Sequence, residues 1–147
     1  MSISFYTIIL YLGILLCVKG TRRTSPVPHG SYATKVSSTV CLQAVFDGPS
    51  ANLTAQLYVE CQSKYGTFAQ KSDELGIAKV IYFAYSVDGA SRPQYQGFIE
   101  RIQFGCSPVV AVGFTDMRDF LTNMIDLNLG VNFNNSIATL VHGMSCH

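Results

Sequence analysis

Residues 51–66, ANLTAQLYVECQSKYG, decide the fold. Leu53, Leu57, Cys61 and Tyr65 recur at four-residue spacing. Asn52, Gln56, Glu60 and Lys64 repeat with the same spacing on another side. With a helical period this is an amphipathic helix carrying one buried and one wet stripe. Glu60 and Lys64 then form a favourably oriented i, i+4 pair, and Gly66 stops the helix. Just upstream, Asp47-Gly48-Pro49 is a turn signal and Ser50 stands as an N-cap.

The neighbouring segments extend this reading. STVCLQAVFDG (38–48) is β-rich. TFAQKSDELG (67–76) reads as a connector. AKVIYFAYSV (78–87) is a continuous apolar run, which suits a strand buried on both faces. GFIERIQFGC (97–106) reads as the next strand, with Phe98, Ile102, Phe104 and Cys106 on one face and Glu100 as a fault on that face. SPVVAVGF (107–114) fits either a short strand or an extended crossing. TDMRDFLTNMIDLNLG (115–130) reads as a second helix, capped by Thr115 or Asp116 and ended by Gly130. VNFNN (131–135) reads as a loop and SIATLVHGMSC (136–146) as the last strand. The order β-α-β-β-α-β predicts an α+β, ferredoxin-like split βαβ sandwich. That fold is a four-stranded antiparallel sheet with two helices on one face.

The N-terminus points outside the cell. Residues 3–18 are an apolar run shorter than the roughly 20 residues of a membrane span. Val18-Lys19-Gly20 ends it as a cleavage site, so residues 1–20 read as a signal peptide cleaved after Gly20. No Lys or Arg precedes the run, which leaves an uncleaved anchor as the alternative. Residues 21–36, with Pro26 and Pro28, read as a flexible arm holding the dibasic processing pair Arg22-Arg23. Residues 37–147 form a single domain. In a secreted chain Asn52-Leu53-Thr54 and Asn134-Asn135-Ser136 are glycosylation sequons.

Cys17 leaves with the signal, and Cys41, Cys61, Cys106 and Cys146 remain. An even count in an exported chain reads as two disulfides, with three possible connectivities. In the ferredoxin-like topology strands one and four are neighbours, so Cys41 pairs with Cys146. Cys61 and Cys106 then tie helix to sheet. The wide spacings lack a C-x-x-C, so neither a metal nor another cofactor is expected. The net charge of +1 favours neither nucleic acid nor an anionic membrane.

A small secreted chain with a dibasic pair after its signal and a disulfide-bonded ferredoxin-like body resembles the killer-toxin-like effectors secreted by fungi. The resemblance covers the architecture of residues 36–147. It implies an extracellular or host-directed binding protein and carries no site residues across.

For catalysis, Glu100, Arg101 and His142 are the residue types of a metal-free ribonuclease. They supply a carboxylate base, a guanidinium for the phosphorane charge and an imidazolium acid. No spacing joins them. His142, in phase with Leu140 and Met144, also reads as a hydrogen-bonded or solvated strand histidine, and His147 as a frayed end. Tyr82, Phe83, Tyr85, Tyr95 and Phe98 are the residue types of an RNA-stacking sheet, or of a core and its rim. The leading expectation is a non-enzymatic, monomeric factor, effector-like or toxin-like, that binds a protein or cell-surface partner. A secreted hydrolase and a structural or storage protein are the alternatives.

Overall fold

A computed structural model describes residues 26–123 and 125–147. The expected signal peptide, with its cleavage after Gly20, and the expected processing pair Arg22-Arg23 lie outside the described residues. The described residues form nine strands: β1 (Gly30–Ser37), β2 (Val40–Asp47), β3 (Thr54–Ser63), β4 (Gly66–Lys71), β5 (Leu75–Ile81), β6 (Ala84–Val87), β7 (Asp119–Thr122), β8 (Leu129–Phe133) and β9 (Ser136–His142). Among the described residues one α-helix, α1 (Arg92–Cys106), separates β6 from β7. A single 3-10 turn, Ser50–Asn52, joins β2 to β3.

The ferredoxin-like expectation is overturned. Eight strands, β1-β2-β3-β5-β6-β7-β8-β9, pair in chain order as antiparallel neighbours, and β9 returns to β1. The result is an up-and-down barrel. Closure is made where Tyr32 meets His142 and Ala33 meets Val141. β4 stands apart, paired with β3 alone. Residues 30–36, expected in the flexible arm, are strand β1.

The decisive segment is β3, not a helix. Its buried residues alternate strictly: Ala55, Leu57, Val59 and Cys61 point inward, while Thr54, Gln56, Tyr58 and Glu60 point outward. The first half of β3 pairs with β5 (Ala55 opposite Leu75) and the second half with β4 (Cys61 opposite Phe68). Buried Ser72 bridges the step between them: the Leu57 N–H donates to Ser72 Oγ and the Ser72 N–H to the Leu57 carbonyl.

The other differences follow the same logic. Residues 78–87 are not one buried strand but a hairpin, β5–β6, turning at Tyr82-Phe83. Residues 97–106 are not a strand but most of α1, which buries Tyr95, Phe98, Ile99, Ile102 and Cys106 at helical spacing. The described residues of 115–130 hold no helix; they contain a turn, β7, a loop and the start of β8. VNF (131–133) is the body of β8, and Asn134 and Asn135, with φ of 49° and 59°, turn it into β9.

An eight-stranded barrel has an interior that side chains can fill. Here Leu42, Phe46, Leu57, Tyr85, Phe120 and Leu140 fill it in one cluster with the buried face of α1. The helix lies against β3 and β4. Gly105 permits this approach, because a Cβ there would collide with the Phe68 ring. At the other end of α1, Ser91 Oγ accepts from the Gly76 N–H at 2.7 Å, fixing the helix start to β5. Cys61 bonds to Cys106, stapling α1 to β3, and Cys41 bonds to Cys146. These are the pairs named from the sequence, reached there through a topology that the barrel replaces.

Candidate functional site

The barrel does not bring Glu100, Arg101 and His142 together. Glu100 and Arg101 are exposed on α1, in a groove of about 400 Å³ shared with Phe68, Gln70, Gly97 and Phe104. His142 lies on the β1–β9 ladder at the barrel rim. Its ring meets Tyr32 edge-on at 5.0 Å, and its Nε2 donates to the His29 carbonyl at 3.2 Å. The three residues of the ribonuclease reading thus have separate surroundings. The aromatic set is divided as well: Tyr85, Tyr95 and Phe98 are buried, whereas Tyr82 and Phe83 are exposed.

Asn52 is exposed in the 3-10 turn, and Asn134 is exposed in the β8–β9 turn. The last residues cross the outer faces of three strands. Ser31 Oγ donates to the Met144 carbonyl, and the Cys146 N–H donates to Gln43 Oε1. His147 packs edge-on against Tyr58 at 4.9 Å, and its Nδ1 is 4.0 Å from Glu60.

Glu60 is the most engaged carboxylate of this outer face. Tyr58 O–H and Gln62 Nε2 both donate to it. Those two bonds, then the charges of His147 and Lys35, hold its carboxyl below the ordinary 4.5 against a smaller opposing effect of burial. Tyr58 moves the other way, to about 12, through burial and then through its bond to Glu60 and the carboxylate's charge. A carboxylate with a lowered folded-state pKa adds stability above its unfolded value and loses it as pH falls through the folded value. Glu60→Gln is therefore expected to flatten the stability profile below pH 4.5 and to leave its slope near neutrality unchanged. Urea unfolding across pH 2.5–7, roughly the carboxylate range, checks this; an unchanged acid limb counts against it.

The feature missed in the sequence is an apolar end of the barrel. The β5–β6 tip exposes Val80 (61%), Ile81 (52%), Tyr82 and Phe83 (both 45%). Beside it, the β7–β8 segment exposes Leu121 and Ile125, the latter at 95%. Thr122 ties the two together, its N–H and Oγ1 both donating to the Phe83 carbonyl at 2.8 and 3.1 Å. Phe83, Leu121 and Ile125 line a groove of about 530 Å³ whose polar wall includes Asn123, Asp126 and Thr139. The signal was the run VIYF itself, but four adjacent apolar residues read equally as a buried strand.

Among the described residues no group of three His, Cys, Asp or Glu could hold a metal ion. No described helix is long and apolar enough to cross a membrane. Comparison of the chain with protein-family models, with curated proteins and with solved structures found no match.

Proposed function

We propose that this chain is a secreted, effector-like or toxin-like binding protein that engages a protein partner through the Phe83–Leu121–Ile125 groove. The carrying observation is the exposed apolar end itself. An exposed apolar surface with a polar border is the pattern of a docking site. Three features favour a protein over a lipid surface. The groove is concave, its wall offers directed hydrogen-bonding groups, and the net charge is only +1. The filled interior favours a binding surface on the outside of the barrel. Two disulfides suit an oxidising, extracellular setting. The apolar leader and the Asn52 and Asn134 sequons support export. The resemblance to fungal killer-toxin-like effectors loses its ferredoxin-like body; the small bridged chain and the dibasic pair remain.

A photo-crosslinking residue at Ile125, offered to intact cells and to neutral and anionic vesicles, tests the proposal. The expected result is one discrete protein adduct that saturates, is competed by unlabelled chain and falls about tenfold with Leu121→Asp. Vesicle binding without such an adduct, or an adduct equally strong from a crosslinker at Gln56 on the outer face of β3, would sink it.

A further inference from the structure

A smaller cavity, of about 170 Å³, lies between the first half of α1 and the loop that leads into β7. It shares no lining residue with the Phe83–Leu121–Ile125 groove. Arg92, Tyr95, Gln96 and Ile99 of α1 line it, with Phe114 and Arg118. Tyr95 and Ile99 are buried and make its apolar wall, whereas Phe114 is 73% exposed. These groups stand on fixed supports. The Tyr95 hydroxyl is shared between the Phe114 and Asp116 carbonyls, and the Gly113 N–H donates to Asp116 Oδ2. The loop that carries the Phe114 ring is thereby pinned to α1. Arg118 Nε and Nη2 both donate to Asp119 Oδ2, at 3.1 and 2.9 Å, and Asp119 Oδ1 accepts from Ser86 Oγ. That carboxylate orients the guanidinium and takes two of its five N–H donors, so three remain. Arg92 is exposed and has no ion pair or hydrogen bond to another described residue.

We infer that this cavity binds a small molecule carrying one oxyanion group, a carboxylate or a phosphate, on a planar apolar body. The guanidinium fork matches the oxygens of either anion, and a second donor group from Gln96 stands beside it. Arg92 and Arg118 are the charged residues that line the cavity. Asp119 balances Arg118, which leaves the positive charge of Arg92 for the ligand to balance. The Phe114 ring offers a face to a planar group, and Tyr95 and Ile99 offer apolar contact. Pockets for drug-sized ligands run from roughly 300 to 1,000 Å³. The smaller volume here suits a single ring with its charged group. No carboxylate, histidine or cysteine is among the described residues that line the cavity, so the site is one of binding and not of chemistry.

Titration of the nitrogen-15-labelled full chain, followed by nuclear magnetic resonance, provides the test. The probes are benzoate and phenyl phosphate, with inorganic phosphate and benzyl alcohol as the charge and the ring alone. At least one of the first two should give saturable shifts confined to residues 92–99 and 113–118. Its dissociation constant should be on the order of a millimolar or tighter. Inorganic phosphate and benzyl alcohol should each bind about tenfold more weakly or worse, since each lacks half of the recognition. Arg92→Gln should weaken the better probe about tenfold, and Phe114→Ala about fivefold. Both side chains are exposed, and an unchanged circular dichroism spectrum confirms that each variant folds. No saturable shift from either probe up to about 20 mM overturns the inference. So does inorganic phosphate binding as tightly as phenyl phosphate, which would mean attraction to surface charge alone. Binding insensitive to Arg92→Gln or to Phe114→Ala, or shifts centred elsewhere, overturns it as well.

Discussion

Replacing Cys61 and Cys106 together by alanine is expected to destabilise the protein by about 4 kcal/mol. The bond closes a span of 45 residues, and the chain entropy released in the unfolded state has about that magnitude for such a loop. Both cysteines are buried, at 1% and 0% exposure, so the variant also gives up close packing where α1 meets β3. For a domain whose whole stability is roughly 5–15 kcal/mol, this is a large fraction. The midpoint of thermal unfolding should drop by about 15 °C. The Cys41–Cys146 bond spans 105 residues, and loop length alone would make it the stronger staple. It holds only the outer segment that includes Met144 and His147, which can fray without opening the core. Its removal should therefore cost less than loop length suggests, and less than removal of Cys61–Cys106. Urea unfolding of the two double-alanine variants decides the order. The reverse order would mean that α1 is held to the barrel chiefly by packing.

Asp116→Ala is expected to cost about 3–5 kcal/mol, because it strands donors around a buried carboxylate. Asp116 is 1% exposed. Its Oδ2 accepts from the Gly113 and Asn134 N–H groups at 2.9 and 2.8 Å, and its Oδ1 from Asn132 Nδ2 at 3.3 Å. Its carbonyl accepts from the Tyr95 hydroxyl at 2.7 Å. One residue thus joins the loop after α1, the helix itself, strand β8 and the β8–β9 turn. The next residue, Met117, takes a φ of 57°, a conformation that a non-glycine side chain holds only under such constraint. Asp116→Asn keeps the volume but turns one acceptor into a donor facing donors. It should fall between wild type and alanine in urea unfolding. If Asp116→Asn proved as stable as the wild type, the hydrogen-bond account would fail and only volume would matter.

The sequence reading and the barrel part at identifiable residues. β2 and β9 were legible, because β-branched alternation and the Asp47-Gly48-Pro49 turn have few competing readings. The segment 51–66 was ambiguous for an arithmetic reason. A spacing of four fits one helix face and, being even, one strand face as well. The deciding residues were those between: Ala55 and Val59 complete an alternation from Leu53 to Cys61 that a helical stripe does not need. The reverse error occurred at 97–106. There Glu100 looked like a fault only with period two; with Tyr95, Phe98, Ile99, Ile102 and Cys106 as the buried set, it falls on the solvent side of α1. The apolar end of the barrel could not be told from a buried strand by composition, since only the turn at Tyr82-Phe83 exposes it. Asp116 read naturally as a helix cap, because the same short side chain that caps a helix also gathers backbone donors in a loop.

The central claim is that the chain closes into a filled barrel. Cross-strand nuclear Overhauser contacts in the labelled protein test the closure most directly. The account predicts backbone contacts between Ala33 and Val141, between Ala44 and Leu57, and between Ala55 and Leu75, together with a helical pattern confined to 92–106. A helical pattern through residues 53–65, with no contact between Ala33 and Val141, would contradict it.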